Sequence, residues 1–303
     1  MMTAIRVATE EAEFSISDQE FHSIQGLVKD RTGIALSDHK RSLVVARLGK
    51  RLRILGFATF RQYYEHVTGG AGSGELENFV NAITTNKTEF FRERAHFEFL
   101  TREVVPALKR RALQTGERRV RIWSAGCSTG EEAYTIALTL CEALGSLLTW
   151  DVRILASDID TNVLAQGSAG VYSAERAAEI PLPLLHRYFL KGSGVQAGQV
   201  KVGRAIHPLV TFRRINLLEE PWPIRTTFDC VFCRNVIIYF DKPTQSRLMY
   251  RFADFVRDDG YLFLGHSESL HGICDRFSFL RNTVYRKIAG EHAVQRQAAG
   301  EGA

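Results

Sequence analysis

The chain has 303 residues, 45% of them hydrophobic and 24% charged, with a formal net charge of +5. That is the composition of an ordinary soluble globular protein with room for one large domain or two modest ones. No apolar run approaches the roughly 18–20 residues of a membrane span, the N-terminal MMTAIRVATEEAEF lacks the apolar core of a signal peptide, and five cysteines without framework spacing suit a reducing compartment, the cytoplasm.

Residues 14–95 read as helical, with Asp18 and Ser37 as candidate N-caps. In SDHKRSLVVARLGKRLRILG, Val44, Leu48, Leu52 and Leu55 form one apolar stripe, and Gly56 is a natural residue to end the helix. Arg47, Lys50 and Arg51 lie beside the stripe. No acid falls between His39 and Tyr64, whereas Lys40, Arg41, Arg47, Lys50, Arg51, Arg53 and Arg61 are all basic. Such a block suits an anionic partner, be it nucleic acid, a membrane surface or an acidic protein; a solvated helix face is the plain alternative. Thr68–Glu77 (TGGAGSGELE) reads as a flexible connection.

From Arg119 onward, strands alternate with helices. VRIW (120–123), VRILAS (152–157), TFDCVFC (227–233), YLFLG (261–265) and TVYRKI (283–288) read as strands. EEAYTIALTLCEAL (131–144) and RLMYRFADFVRDDG (247–260) read as helices, and the pattern predicts a parallel, doubly wound sheet. Residues 189–215 carry three short β-like pieces among glycines and read as an antiparallel insertion. The tail 291–303 reads as disordered. Cys230 and Cys233 form a C-x-x-C, but they sit in an apolar strand without further ligands at metal spacing, which makes them inert core thiols.

RIWSAGCSTGEEAY feeds a strand through Gly126–Gly130 into a helix opening at Glu131, a geometry suited to an anionic group at a helix N-terminus. Three chemistries use it. As G-x-S-x-G it is a nucleophile elbow with Ser128, and Asp229 or Asp241 and then His266 follow in hydrolase order. As a dinucleotide fingerprint it lacks the required glycine spacing. As a methyltransferase loop it would hold the methionine end of S-adenosylmethionine, with Glu131 or Glu132 near the cofactor's positive groups. ILASDID separates them, because Asp158 at a strand's carboxyl end can accept both hydroxyls of a ribose. Loop and acid together favour a nucleoside cofactor.

Six blocks in order, TTNKTEFFRE (84–93), RIWSAGCSTGEEAY (121–134), ASDID (156–160), INLLE (215–219), FCRNVIIYFD (232–241) and GHSES (265–269), are similar to those of the CheR family of chemotaxis receptor methyltransferases. The resemblance runs from about Phe21 to Tyr285. It implies a Rossmann-like α/β methyltransferase domain with an N-terminal all-helical domain, a small antiparallel β insertion, and a cofactor site between the two domains. The organisation implied is a helical docking domain over 14–83, a linker helix over 84–100 that closes over the cofactor, and a methyltransferase domain over 101–290. The resemblance also assigns roles. Asn86, Thr88 and Arg92 would close over S-adenosylmethionine, with S-adenosylhomocysteine as product. Glu132 and Asp158 would be acidic contacts, Asn216, Leu217, Asn235 and Val236 would wall the cofactor, and Arg92 and Tyr239 would lie nearest the transferred methyl. No metal is implied. Asn86 could also cap a helix starting at Lys87 or Thr88, Arg92 could pair with Glu89 or Glu93, and Tyr239 could be core; His266 is left without a role.

The reaction implied is displacement at a sulfonium methyl by a glutamate carboxylate of a chemoreceptor. A glutamate is already ionised at neutral pH, so Arg92 and Tyr239 would orient groups rather than move protons. Arg47, Lys50, Arg51 and Arg53 would meet the acidic coiled coil of the receptor's cytoplasmic domain. The loop with Gly192, Gly194 and Gly198 resembles one that captures a receptor's C-terminal pentapeptide by strand addition, although Lys191 and Lys201 stand where arginines are expected. A non-catalytic S-adenosylmethionine-sensing adaptor is the remaining alternative. A nucleic-acid partner, membrane insertion and an obligate dimer are not expected.

Overall fold

The computed structural model describes residues 14–69, 74–145 and 147–289; the tail 291–303 and part of the Thr68–Glu77 connection lie outside the described residues. The described residues divide into two compact units, one formed from those of 14–31 and 35–83, the other from 32–34 and those of 84–289.

The first unit holds α1 (Asp18–Thr32), α2 (Arg41–Leu55), α3 (Phe60–Thr68) and α4 (Glu75–Ile83). The cap of α1 is Ser17 and not Asp18. Ser17 Oγ accepts from Glu20 N while Glu20 Oε2 accepts from Ser17 N, a reciprocal capping box. Ser37 precedes only a short 3-10 turn and makes no capping bond with its side chain. Gly56 ends α2 in the left-handed conformation, as its position suggests. Val44, Leu48 and Leu52 are fully buried, but the stripe stops there, with Leu55 and Ile54 exposed.

The second unit is built on β1 (Arg119–Ala125), β2 (Asp151–Asp158), β3 (Val171–Ser173), β4 (Phe189–Lys191), β5 (Gln199–Val202), β6 (Val210–Arg214), β7 (Phe228–Cys233), β8 (Val256–Leu264), β9 (Phe277–Arg281) and β10 (Val284–Lys287). Seven strands form one sheet in the order β6-β2-β1-β7-β8-β10-β9. The first five are parallel; β10 runs antiparallel to both β8 and β9, so the last strand belongs to a hairpin and the sheet is mixed. The small antiparallel sheet, β3-β5-β4, begins earlier than expected, and the third β-like piece of 189–215 is instead the edge strand β6. The helices are α5 (Ala95–Phe99), α6 (Val105–Thr115), α7 (Glu131–Leu144), α8 (Thr161–Ala169), α9 (Leu182–Tyr188) and α10 (Lys242–Phe255), with a π-turn at Leu100–Val104 joining α5 to α6. Two boundaries differ from expectation. Residues 84–94 form no helix, so the linker helix begins only at Ala95; and the helix expected to run to Gly260 stops at Phe255, where β8 starts.

Side chains alternate across the central strands. Val120, Ile122, Cys230 and Phe232 enter one core, and Trp123, Ala125, Val231 and Cys233 enter the other. Both faces of the parallel region are therefore covered, as such sheets require. Cys230 and Cys233 lie on opposite faces, so they are not a redox pair. All five cysteines are free and buried. The chain places β1 centrally, adds β2 and β6 on one side, then crosses to β7 and β8 on the other. The strand order reverses between β1 and β7, and open α/β sheets bind ligands at the carboxyl ends of such strands.

Candidate active site

Four loops meet at that reversal, following β1, β2, β7 and β8, and they are joined by the irregular segment 84–94. After β1, Gly126 and Cys127 donate to Ser157 O at 2.8 and 2.9 Å, and Ser128 adopts φ +48°. A Cβ at Gly126 would overlap the Val236 side chain, so glycine is what lets the β1 and β7 loops touch. Ser128 N donates to Asp158 Oδ2 at 2.8 Å, and Asp160 N donates to Asp158 Oδ1 at 3.0 Å. Burial pushes the Asp158 carboxyl up, and these two N–H groups pull it the other way. A carboxylate has about four acceptor sites, so Asp158 keeps capacity for a ligand beside these backbone partners.

Asp160 caps α8 through Oδ1. Its Oδ2 accepts from Thr84 Oγ1 and Asn86 Nδ2, both at 2.7 Å, and Asn86 O accepts from Ser128 Oγ at 2.9 Å. Asn86 therefore ties its segment to the β1 and β2 loops and caps no helix. Phe90 anchors the same segment, buried with its ring edge-on to Tyr172 and Phe189. Phe91 and Glu93 adopt φ +56° and +59°, conformations uncommon outside glycine. Arg92 forms no ion pair with Glu89 or Glu93; its Nη1 donates to Lys87 O at 3.0 Å. Thr88 is half-buried in the same segment.

Arg234, just after β7, is the hub that sequence reasoning missed. Its guanidinium, 2% exposed, pairs with Glu93 and Glu132 at 2.9 Å each and donates to Arg92 O at 2.5 Å. Burial would push Glu93 up, but Arg234 and the His266 N–H more than offset this and leave its carboxyl below the ordinary range. Glu132 also accepts from Ser124 Oγ at 2.6 Å. Glu131 is fully buried with Arg176 and Thr129, facing away from the hub. Asn235 follows at φ +58°, Val236 lies against Gly126, and Tyr239 closes a 3-10 turn half-buried, its hydroxyl without a partner among the described residues. Asn216 is buried, its side chain holding Leu218 N and Glu219, with Leu217 half-buried beside it.

Glu93, His96 and His266 bring ligand-type atoms within 4.8 Å of one another. The Arg234 guanidinium, however, sits on the same Glu93 oxygen, so a cation already fills the electrostatic role a metal would play. His96 is neutral at pH 7, because burial and then Arg234 drop its pKa to about 4.

The family model described as "CheR methyltransferase, SAM binding domain" matches residues 86–286, and "CheR methyltransferase, all-alpha domain" matches 19–84. Chemotaxis protein methyltransferase 2 of Pseudomonas aeruginosa is 46% identical over 90% of this chain and 94% of its own length. The chemotaxis protein methyltransferases of Salmonella typhimurium and Escherichia coli are each 42% identical, over 89% of this chain and 91% of theirs. This chain belongs to the CheR methyltransferase family. Among solved structures, TrmN from Thermus thermophilus aligns at 15% identity and a TM-score of 0.35 over 61% of this chain and 48% of that one, a likeness too slight to bear on the assignment.

As a CheR methyltransferase, the chain uses S-adenosylmethionine to methylate within chemotaxis. The hydrolase alternative fails on geometry as well. Ser128 Oγ donates to a carbonyl, Asp229 is held by Arg111 and Arg121 N at the opposite end of the sheet, and Asp241 caps α10. No helix among the described residues is long and apolar enough to cross a membrane. The candidate docking bases of α2 divide. Arg51 is bidentate to Glu75 at 2.9 and 2.6 Å, and Arg47 donates to Ile83 O, whereas Lys50 and Arg53 are exposed. In the small sheet, Gly192 N donates to Gln199 O, Gly194 opens a 3-10 turn, and Gly198 has φ +82° before β5; Lys191 and Lys201 are exposed on β4 and β5.

Proposed function

We propose that this enzyme transfers the methyl group to glutamate side chains of a chemoreceptor, forming methyl esters. The observation that carries the reading is the convergence at the β1–β7 reversal. Asp158 presents its carboxylate there, while Arg92 and Tyr239 come from the two segments that Arg234 links. The residues fit S-adenosylmethionine, because the buried Asp158 at the carboxyl end of β2 offers acceptor capacity for ribose hydroxyls beside the turn that opens α7. When bound, it supplies an electrophilic methyl on a sulfonium. Asn86, Thr88, Asn216, Leu217, Asn235 and Val236 wall the site, and Glu132 holds Arg234 while keeping acceptor capacity for a cationic group.

The acceptor glutamate is already ionised at neutral pH, so no base is required. Arg92 and the unpartnered Tyr239 hydroxyl orient the carboxylate for in-line approach, where reacting atoms must come within about 3–3.5 Å. The exposed Lys50 and Arg53 receive the acidic coiled coil of the receptor, and the edge of the small sheet at Gly192–Gly198 receives its C-terminal peptide by strand addition. The enzyme acts as a cytoplasmic monomer.

Incubating the protein with tritiated S-adenosylmethionine and receptor-containing membranes should yield base-labile label on the receptor. Label that resists base, or label on nucleic acid, would refute the acceptor assignment. Arg92→Ala and Tyr239→Phe should each lower kcat by about tenfold or more while leaving S-adenosylhomocysteine affinity within a few-fold; normal turnover in both would remove their orienting role.

A further inference from the structure

Of the block GHSES, the residue with the most telling contacts is neither His266 nor a serine. Glu268 is 4% exposed and accepts hydrogen bonds from three backbone N–H groups: Gly265 at 2.6 Å, Asn235 at 2.8 Å and Ile238 at 3.3 Å. Its carboxylate makes no ion pair among the described residues. A buried carboxylate without a counter-cation is costly unless oriented dipoles replace the lost water. Burial raises the Glu268 carboxyl, and the same N–H groups pull it back.

We infer that Glu268 is a positioning residue: it holds the backbone of Asn235–Ile238 in the conformation that turns Asn235 and Val236 toward the cofactor. Two further observations agree. Asn235 sits at φ +58°, a conformation that tertiary contacts must hold in place. Gly265 packs so tightly on Asn235 that a Cβ would overlap its side-chain amide, which brings the Glu268 turn directly against the loop. Gln245 completes the clamp by donating to Ile237 O and Phe240 O at 2.8 and 2.9 Å. The loop is therefore held from two directions: Arg234 reaches out to Glu93 and Glu132, and Glu268 reaches in from β8. This inference rests on reading Asn235 and Val236 as part of the cofactor-facing wall, and it needs no particular methyl acceptor.

The test is S-adenosylhomocysteine binding by calorimetry to the full chain, paired with amide hydrogen exchange. Glu268→Gln keeps the shape but turns an N–H₂ toward backbone donors. Losing charge-assisted bonds should weaken binding about tenfold, with faster exchange confined to residues 234–240. Unchanged affinity would overturn the inference. So would an affinity loss accompanied by faster exchange throughout the sheet, the mark of a general structural role. If Glu268→Gln does not fold, Glu268→Asp, which keeps the charge but shortens the reach, is judged by the same criteria. Asn235→Ala tests the proposed wall separately from the clamp. Weaker binding by Asn235→Ala is expected; normal binding would remove Asn235 from the cofactor wall and, with it, the reading on which the inference rests.

Discussion

Helix α2 and the strand-end loops of the second unit both carry charged side chains, but they use them in different ways. In the loops and at the opening of α7, Asp158, Glu132, Arg234 and Glu268 are all engaged, and several of their partners are backbone N–H or C=O groups. On α2 the bases divide: Arg51 is paired with the buried Glu75, which also takes Tyr63 Oη and Asn78 Nδ2, while Lys50 and Arg53 stay open to solvent. Charge in a sequence thus has two different meanings. Around the irregular loops charge mostly holds backbone; on α2 Arg47 still reaches a backbone carbonyl and Arg51 a buried acid, and Lys50 and Arg53 are left over for a partner.

Arg51→Ala tests that division most severely. It would leave Glu75 buried and short of its cation, so the first unit should lose about 3 kcal/mol of stability, read by urea unfolding. S-adenosylhomocysteine affinity should not change. If stability held, Arg51 would belong with the docking bases after all.

Asp158→Asn sharpens the other half. The variant keeps the side chain's size but removes charge and offers an N–H₂ where Ser128 N and Asp160 N now donate. S-adenosylhomocysteine should bind about 100-fold more weakly by calorimetry. Near-normal binding would show that the loops use Asp158 only as a strut.

The smallest effect is expected from the double reversal Lys50→Glu with Arg53→Glu. It should raise the apparent KM for receptor about fivefold at low salt, an effect that fades as ionic strength rises, with KM for S-adenosylmethionine unchanged. Equal receptor kinetics would leave α2 as a solvated face.

Features visible in the sequence are those with local causes. Gly126–Gly130 and the helix opening at Glu131 announce themselves because a tight strand-to-helix turn needs glycine nearby. Asp158 is visible because a strand end is visible, and α2 because an apolar stripe repeats along it. Arg234 and Glu268 were hidden because their partners are distant in sequence: Arg234 reaches back to Glu93 and Glu132, and Glu268 to Asn235. Residues 84–94 looked helical because a capping asparagine and acids are what a helix start offers. Here the Asn86 side chain and carbonyl are claimed by Asp160 and Ser128 instead. The small sheet was misdrawn because β3 and β4 span three residues each, too short for alternation to register.

The five cysteines acquire a practical meaning from their placement. All lie between residues 127 and 274, hence in the second unit, and each is at most 8% exposed. Burial raises their pKa values, which keeps them protonated and slow toward alkylating reagents at neutral pH. The rate at which they become labelled therefore reports how often the methyltransferase unit opens. Opening of the helical unit, which has no thiol, leaves that signal silent, so one reagent separates the unfolding of the two halves.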